Sequence, residues 1–403
     1  FYELVYYPVV SAALMNKKFL YRDKCYLYAK QNRTSAFDYA DLSRQAYDSI
    51  VSETNYYNNQ LAGGKWKYMM SMNPRDLPVY QGPVIPNFVI DKSGLFDVIP
   101  EGFKNKDSAL ISGSSKKLSM PVFNHYTDRK YFIDVFLNDN QRVEWTSAIN
   151  ANWIKLSQEK GVLEGISSKK QTRIWVSIDW KNAPANEKLS GQIRIKVAGK
   201  EFIVEVIANN EDYRALKGYD GFIEDNGFVS MFASNFSRVD NKSILGWTIC
   251  EDLGHTGKDL AALPLNIKPA KVSVDPEAIK STAPLAMYDF YSFTAASPVI
   301  NIYTLPTHEL NRDYGMRLAA SVDDGPVKIL DFKTVGRSEV WKQNVLSNSA
   351  QTSFKAQFIE TGKHTLKIYM VDPGVILDRI TINLGGLQKS YGIIPETRIS
   401  RMD

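Results

Sequence analysis

The sequence predicts an α+β multidomain chain: a small N-terminal helical bundle, then an immunoglobulin-like β-sandwich, then a larger jelly-roll-like β-sandwich. Three observations carry this. Apolar residues recur at helical spacing through the first 72 residues. Short runs that alternate apolar and polar residues, separated by turn residues, fill most of the chain beyond residue 122. Between the two lies a stretch punctuated by Pro74, Pro78, Pro83, Pro86, Pro100 and Pro121, a density that opposes helix and favours extended chain.

Residues 1–72 form the helical bundle. Leu4, Val5, Val9, Ala12, Ala13, Met15 and Leu20 recur at the spacing of one helix face. Pro8 is expected to kink or restart that helix. A second helix is predicted from Ser35, an N-cap with Asp38 three residues on, and carries Phe37, Leu42, Ala46, Ile50, Tyr57 and Leu61 along one stripe. Gly63-Gly64 ends it, since glycine takes the left-handed conformation without steric cost. So few helices hold too little core to stand alone, and the bundle is expected to dock on a neighbour. The chain opens on Phe1 already in helical pattern, with neither an initiator Met nor a signal peptide. It is therefore expected to be the back part of a longer polypeptide.

Residues 73–121 are the Pro-rich connector. Residues 122–210 give the first sandwich. In RIWVSIDW, Ile174, Val176, Ile178 and Trp180 alternate with Arg173, Trp175, Ser177 and Asp179, the pattern of a half-buried strand. GQIRIKVAGKEFIVEVIAN is a hairpin with Gly199-Lys200 as its predicted turn. Residues 219–386 give the jelly roll. Asp324-Gly325 and Asp372-Pro373-Gly374 each stand between two alternating runs and are predicted hairpin turns. Residues 387–403 are a tail.

Bulk composition excludes several classes of function. The hydrophobic fraction of 44% and charged fraction of 23% describe a globular chain. The net charge of +5 is small beside 49 basic and 44 acidic residues, and like charges cluster no further than pairs such as Lys116-Lys117 or Lys169-Lys170, so no nucleic-acid face is expected. No apolar run approaches the ~20 residues of a membrane span. The two cysteines, Cys25 and Cys250, are read as unpaired, and no CxxC spacing suggests zinc.

Catalytic signatures are sparse. His125, His255, His308 and His364 fall into neither HExxH nor HxH spacing. GxSxG, Walker and GxGxxG motifs are missing from the sequence. In EDLGHTGKDLAALP, Gly254, His255, Thr256 and Gly257 are predicted to make a tight turn with exposed backbone N–H groups. It is either a structural turn or a rim that contacts ligand or a neighbouring domain. Glu251-Asp252 and Asp323-Asp324 are read as turn formers, because alternating strands cannot fix the carboxyl separation that glycoside hydrolysis needs.

The order of the motifs is more specific. FYELVYYPVVSAALMNKKFLYRDKCYLYAKQ is followed by DVFLNDNQRVEWTSAINANWIKLS, RIWVSIDW, WTICEDLGHTGKDLAALP, YDFYSF, IYTLPTHELN and GKHTLKIYMVDPGVILDRITINLGGL. This series resembles the C-terminal part of glycoside hydrolase family 115, the xylan α-1,2-glucuronidases, over nearly the whole chain. The resemblance implies a helical bundle plus sandwiches that support an upstream catalytic (β/α)8 barrel. The enzyme of that family removes glucuronic acid or its 4-O-methyl ether from glucuronoxylan with inversion. No eightfold alternation of strand and helix is present in the sequence, so no catalytic residue is assigned and the chain alone is expected to be inactive. The middle block, with EWTSAINANWIKLSQEKG, also resembles BACON-type modules of bacterial glycan-processing enzymes. That implies a periplasmic or extracellular bacterial setting.

The resemblance also directs attention to Asn16, Lys17, Tyr21 and Arg22 in MNKKFLYRDK, as an edge of the barrel's pocket. Lys17 and Arg22 would pair with a uronate carboxylate, or else cap helices and form surface ion pairs. Family members carry an IEAEHF-like strand whose acids, in related carbohydrate-binding jelly rolls, hold calcium. Here the strand reads GFVSMFASNF, with Phe232, Ser234 and Asn235 at the acid and histidine positions, so no calcium and no cofactor is expected. The expected partners are the upstream barrel, glucuronoxylan or its oligosaccharides, and a second copy in a homodimer. Two alternatives stand beside this reading: a carbohydrate-binding protein that stacks sugars on Trp145, Trp153, Trp175 or Trp180, and a structural or dimerisation module.

Overall fold

A computed structural model describes residues 1–92, 94–102, 111–112, 115–242, 245–266, 275–312, 314–390 and 392–399. The chain divides into two units, residues 1–123 with 129–210, and residues 124–128 with 211–403.

The first unit begins with two helices, α1 (Tyr7–Lys30) and α2 (Ser35–Asn59), packed as a hairpin. A π-helical turn over Tyr2–Tyr6 precedes α1. Pro8 therefore falls one turn into continuous helical backbone, where the π-helical turn gives way to α-helix, and it marks that change of helix type. Ser35 is not an N-cap. It lies inside α2, its hydroxyl donates to Gln171 Oε1 at 2.8 Å, and the preceding Thr34 is held by the Leu137 carbonyl through both its N–H and its hydroxyl. The face that α2 buries is built of small residues with Ile50 and Tyr57 (Ala36, Ala40, Ser43, Ala46), which allows close helix approach; Phe37 and Leu42, expected on that stripe, are exposed. Past Asn59, Gly63 and Gly64 take φ of +68° and +82°, the conformation that reading required of them.

The strands of this unit are β1 (Phe96–Pro100), β2 (Ile111–Ser112), β3 (Ser115–Ser119), β4 (Phe123–Asn124), β5 (Tyr131–Leu137), β6 (Val143–Ile149), β7 (Ile154–Leu156), β8 (Lys160–Leu163), β9 (Gln171–Ile178), β10 (Lys188–Val197) and β11 (Lys200–Asn209). One sheet has the order β1-β5-β9-β7 and the other runs β2-β3-β11-β10-β6-β8. Strands β1 and β3 thus lie inside the Pro-rich stretch. Ile174, Val176 and Ile178 point into the core, as their alternation requires, together with Trp145 and Trp153; Trp175 is 46% exposed on the other face. The hairpin turn between β10 and β11 is Ala198-Gly199, one residue earlier than predicted. Both residues take positive φ, and Lys200 already pairs with Val197.

The second unit contains β12 (Phe222–Ile223), β13 (Phe228–Phe232), β14 (Arg238–Asp240), β15 (Gly246–Leu253), β16 (Gly257–Leu263), α3 (Pro276–Thr282), β17 (Leu285–Ser292), β18 (Val299–Thr304), β19 (Arg317–Val322), β20 (Lys328–Asp331), α4 (Glu339–Ser347), β21 (Ala350–Lys355), β22 (Gly362–Met370) and β23 (Ile376–Asn383). One sheet has the order β12-β17-β22-β19-β20 with β14 beside β17. The other has the order β15-β16-β23-β18-β21 with β13 beside β23. Side chains from both sheets make one core that includes Tyr288, Phe290, Ile302, Leu318, Ile368 and Ile380. Asp324-Gly325 sits in the connection of the antiparallel pair β19–β20, but that connection is longer than a two-residue turn, since Ala320 and Lys328 are the last partners. Asp372-Pro373-Gly374 is no hairpin turn. It carries the chain from β22 in one sheet to β23 in the other, and the buried Asp372 carboxylate accepts from Arg317 at 2.7 and 3.0 Å to fix the crossing.

Candidate functional site

Strand β23 departs from regular pairing against β18. Tyr303 faces Arg379 and Thr304 faces Leu377, so Asp378 is an extra residue in a β-bulge. While Leu377, Ile380 and Ile382 fill the core, Arg379 and Thr381 line the outer face of the sheet. Asp378 is fully buried and accepts from the His255 N–H at 3.2 Å. Its other oxygen meets His255 Nδ1 at 3.0 Å and Arg379 Nη1.

Asp259 of β16 is also fully buried, and its carboxyl lies beside that of Asp378, where only a protonated acid can make a hydrogen bond. Burial first, and then the charge of Asp378, push its carboxyl up to about 7. The turn at 254–257 passes directly over it. A Cβ on Gly254, whose φ is +72°, would stand 2.2 Å from Asp259 Oδ1, so glycine is required there by both space and backbone. The tight turn read from the sequence is thus present, but the His255 N–H points at Asp378 instead of outward.

Beside this buried pair the sheet's outer face opens into a groove of about 480 Å³. Its floor includes Tyr303, Arg379, Asn301, Thr381 and Gln351, and Leu387, Gln388, Lys389, Ser390, Gly392, Ile393 and Ile394 form a wall. The Arg379 guanidinium lies 4.2 Å from the Tyr303 ring centroid, a cation–π contact that restrains it. Asn301 Nδ2 donates to Thr381 Oγ1 at 3.1 Å. Among the described lining residues two are cationic, Arg379 and Lys389, and none is a carboxylate.

The sequence reading missed Arg379, Asp378 and Asp259. A signal exists in ILDRITIN: the adjacent Asp378-Arg379 breaks a period-two pattern, as a bulge does.

The residues that the sequence did single out lie on α1, in the other unit. Lys17 is exposed, Asn16 Nδ2 donates to the Ala12 carbonyl at 2.9 Å, and the Tyr21 ring packs 5.9 Å from Tyr39. Arg22 is engaged by Asp23, at 2.9 and 3.1 Å, and lies 4.9 Å from the Phe19 ring centroid. The neighbouring Lys18 is the buried one, and its ammonium donates to the Val79 and Gln81 carbonyls at 2.7 and 2.9 Å. Ahead of α1, Phe1 and Leu4 are 88% and 84% exposed, and Val9 in its first turn is 62% exposed.

In β13 and its continuation, the Phe232 N–H and Asn235 Nδ2 both donate to Glu396, at 2.6 and 2.7 Å. Burial raises the Glu396 carboxyl pKa. The remaining histidines serve packing and turns: His364 bonds Asp323 at 2.7 Å, His308 accepts from Trp341 Nε1, and His125 stacks on Tyr126.

A sequence model of the family described as "Glycosyl hydrolase family 115 C-terminal domain" matches residues 221–396. The described lining of the Arg379 groove lies within these matched residues. Among solved structures, a family GH115 4-O-methyl-α-glucuronidase, BtGH115A, with specificity for decorated arabinogalactans, aligns with 94% of this chain at 19% identity and a TM-score of 0.46. The chain spans 29% of that protein's length. The GH26-CBM35 β-(1,4)-mannanase of Podospora anserina aligns with 42% of this chain and 30% of its own at 14% identity, TM-score 0.27. The C-terminal CBM6 of a laminarinase from Zobellia galactanivorans aligns with 39% of this chain and 98% of its own at 10% identity, TM-score 0.24. No curated protein sequence matches the chain. Among the described residues, no helix is long and apolar enough to cross a membrane, and no group of three His, Cys, Asp or Glu side chains is placed to hold a metal ion.

Proposed function

We propose that this chain is the accessory portion of a xylan α-1,2-glucuronidase, joined to an upstream catalytic barrel that removes glucuronic acid or its 4-O-methyl ether from glucuronoxylan. The match of residues 221–396 to the family 115 C-terminal domain carries this reading. The exposed apolar residues before and at the start of α1, Phe1, Leu4, Val5 and Val9, support a docking role for the helical bundle, since neighbouring exposed apolar side chains mark an interaction surface. In this reading the domains divide at 1–72, 73–121, 122–210, 219–386 and 387–403. The enzyme works as a homodimer in the bacterial periplasm or outside the cell.

Asn16, Lys17, Tyr21 and Arg22 complete the edge of the barrel's pocket, with Arg22 offered to the uronate carboxylate in exchange for Asp23. In the barrel-bearing polypeptide, Arg22→Ala is expected to lower turnover on glucuronoxylan. Unchanged kinetics would remove α1 from the pocket. Light scattering on that polypeptide reads the dimer directly, and a monomer at micromolar concentration would contradict it.

The groove favours a second role in the same chain, that of holding glycan. Trp145 and Trp153 are in the core and cannot stack on sugar; Trp175 remains exposed.

A further inference from the structure

We propose that the groove over Arg379 is a sugar-acid subsite: it takes one carboxylate-bearing residue of a glycan, with the carboxylate at Arg379 and Lys389 and the hydroxyls at Asn301, Gln351 and Thr381. The proposal rests on the reading that the chain serves a glycan-processing enzyme, and it names a ligand for a surface remote in sequence from the residues given to the barrel's pocket.

Charge selects the ligand's sign. The described lining residues include two cations and no carboxylate, and no described residue makes an ion pair with Lys389. Asp378 takes one donor of Arg379, at Nη1, from below the sheet surface. Nε and Nη2 have no hydrogen-bond partner among the described residues. A guanidinium carries five N–H donors in a planar fork, so this leaves an edge suited to a planar carboxylate. The Tyr303 ring and the Asp378 carboxylate fix the guanidinium in place, so little side-chain freedom is lost when a ligand arrives.

Shape and polarity select a sugar over a small inorganic anion. About 480 Å³ is space for a ligand far larger than phosphate. Asn301 and Gln351 each carry both a donor and acceptors, as do the hydroxyls of a sugar. These groups project from adjacent strands, about 4.8 Å apart. They form a polar grid beside the cationic end, the arrangement that a polyhydroxylated carboxylate matches along its length.

Titration calorimetry on the 403-residue chain tests this. The probes are a xylo-oligosaccharide bearing 4-O-methylglucuronic acid, the same oligosaccharide without it, free glucuronic acid, and inorganic phosphate. The decorated oligosaccharide is expected to bind saturably, at least about tenfold tighter than the neutral one, since a charge-assisted hydrogen bond distinguishes them. Binding should weaken as salt rises. Free acid that binds as tightly assigns the site to the sugar acid alone; weaker binding assigns it to the acid on its chain. Arg379→Gln should abolish the preference. Because that variant leaves the buried Asp378 without its cation, the surface variants Lys389→Ala and Gln351→Ala are measured beside it, each expected to weaken binding about fivefold with the fold intact by circular dichroism.

Equal affinity for the neutral oligosaccharide, equal affinity for phosphate, no saturable binding, or binding that none of the three variants changes would overturn the subsite. None of these results bears on Arg22 and turnover in the barrel-bearing polypeptide, so failure of the subsite and failure of the accessory reading are told apart.

Discussion

Arg33 donates from Nη1 to Asp134 Oδ2 at 3.0 Å while its guanidinium lies between the rings of Tyr28 and Phe136, 4.4 and 4.3 Å from their centroids. Arg33 follows α1 and Asp134 sits in the middle of β5, so the contact ties the helical hairpin to the sandwich of the same unit. Arg173, the cross-strand partner of Asp134 on β9, holds the same carboxylate with two bonds of 2.8 and 3.0 Å. The ring contacts and the shared carboxylate offset the desolvation of a buried cation.

Asp134→Ala is therefore expected to destabilise the first unit by about 3–5 kcal/mol, the range for a buried pair with one partner removed. Urea denaturation followed by circular dichroism measures it. A loss under about 1 kcal/mol, the range of a surface ion pair, would show that the junction is held by apolar contacts alone.

The two tryptophans Trp145 and Trp175 differ in environment. Trp145 is 1% exposed and Trp175 is 46% exposed. Trp145→Ala should cost about 3–5 kcal/mol, and Trp175→Ala under about 1 kcal/mol. Similar midpoints for the two variants in denaturant would contradict the assignment of Trp145 to the core.

His364 Nδ1 donates to the Asp323 carboxylate at 2.7 Å, and this bond raises its pKa above the ordinary 6.5. The stability it contributes is fully present below 6.5 and is lost as pH rises through the raised folded value. Burial works against the Asp323 carboxylate, but the His364 bond and the Thr365 N–H outweigh it and bring that pKa below 3.8. Its contribution is present above 3.8 and lost as pH falls through the lower folded value. The pair is thus worth most between these limits, and His364→Gln should lower the melting temperature at pH 5.5 more than at pH 9.

Asp259 is raised from 3.8 to about 7, so the folded chain binds its proton more tightly than the unfolded chain. Its contribution is present below 3.8 and is lost as pH rises through about 7. Asp259→Asn carries a fixed donor in place of that proton. The variant should keep its melting temperature from pH 5 to pH 8 where the parent declines. Parallel profiles would mean that Asp259 is not the group that titrates.

Local pattern made much of this architecture legible. The alternation in β9 placed Ile174, Val176 and Ile178 inside, because a period of two leaves one face for the core. Pro8 marked the change from π-helical turn to regular α-helix, because it has no N–H to give to the preceding turn. What local pattern could not convey was which strands share a sheet. Asp372-Pro373-Gly374 has the composition of a hairpin turn, yet it joins two sheets, since the partners of β22 and β23 lie far away in the sequence. The site was hidden for the same reason. Asp259 and Asp378 meet across β16 and β23, and Arg379 meets Tyr303 across β23 and β18, pairings that depend on register. Ser35 resembled a cap by composition, but the Leu137 carbonyl from β5 decided how that helix begins.

Release of 4-O-methylglucuronic acid from glucuronoxylan by the 403-residue chain alone tests the central claim most directly. The accessory reading predicts no release above the uncatalysed background, with release when the chain is joined to an upstream barrel. Turnover by the chain alone would contradict it and would place a catalytic site within these residues.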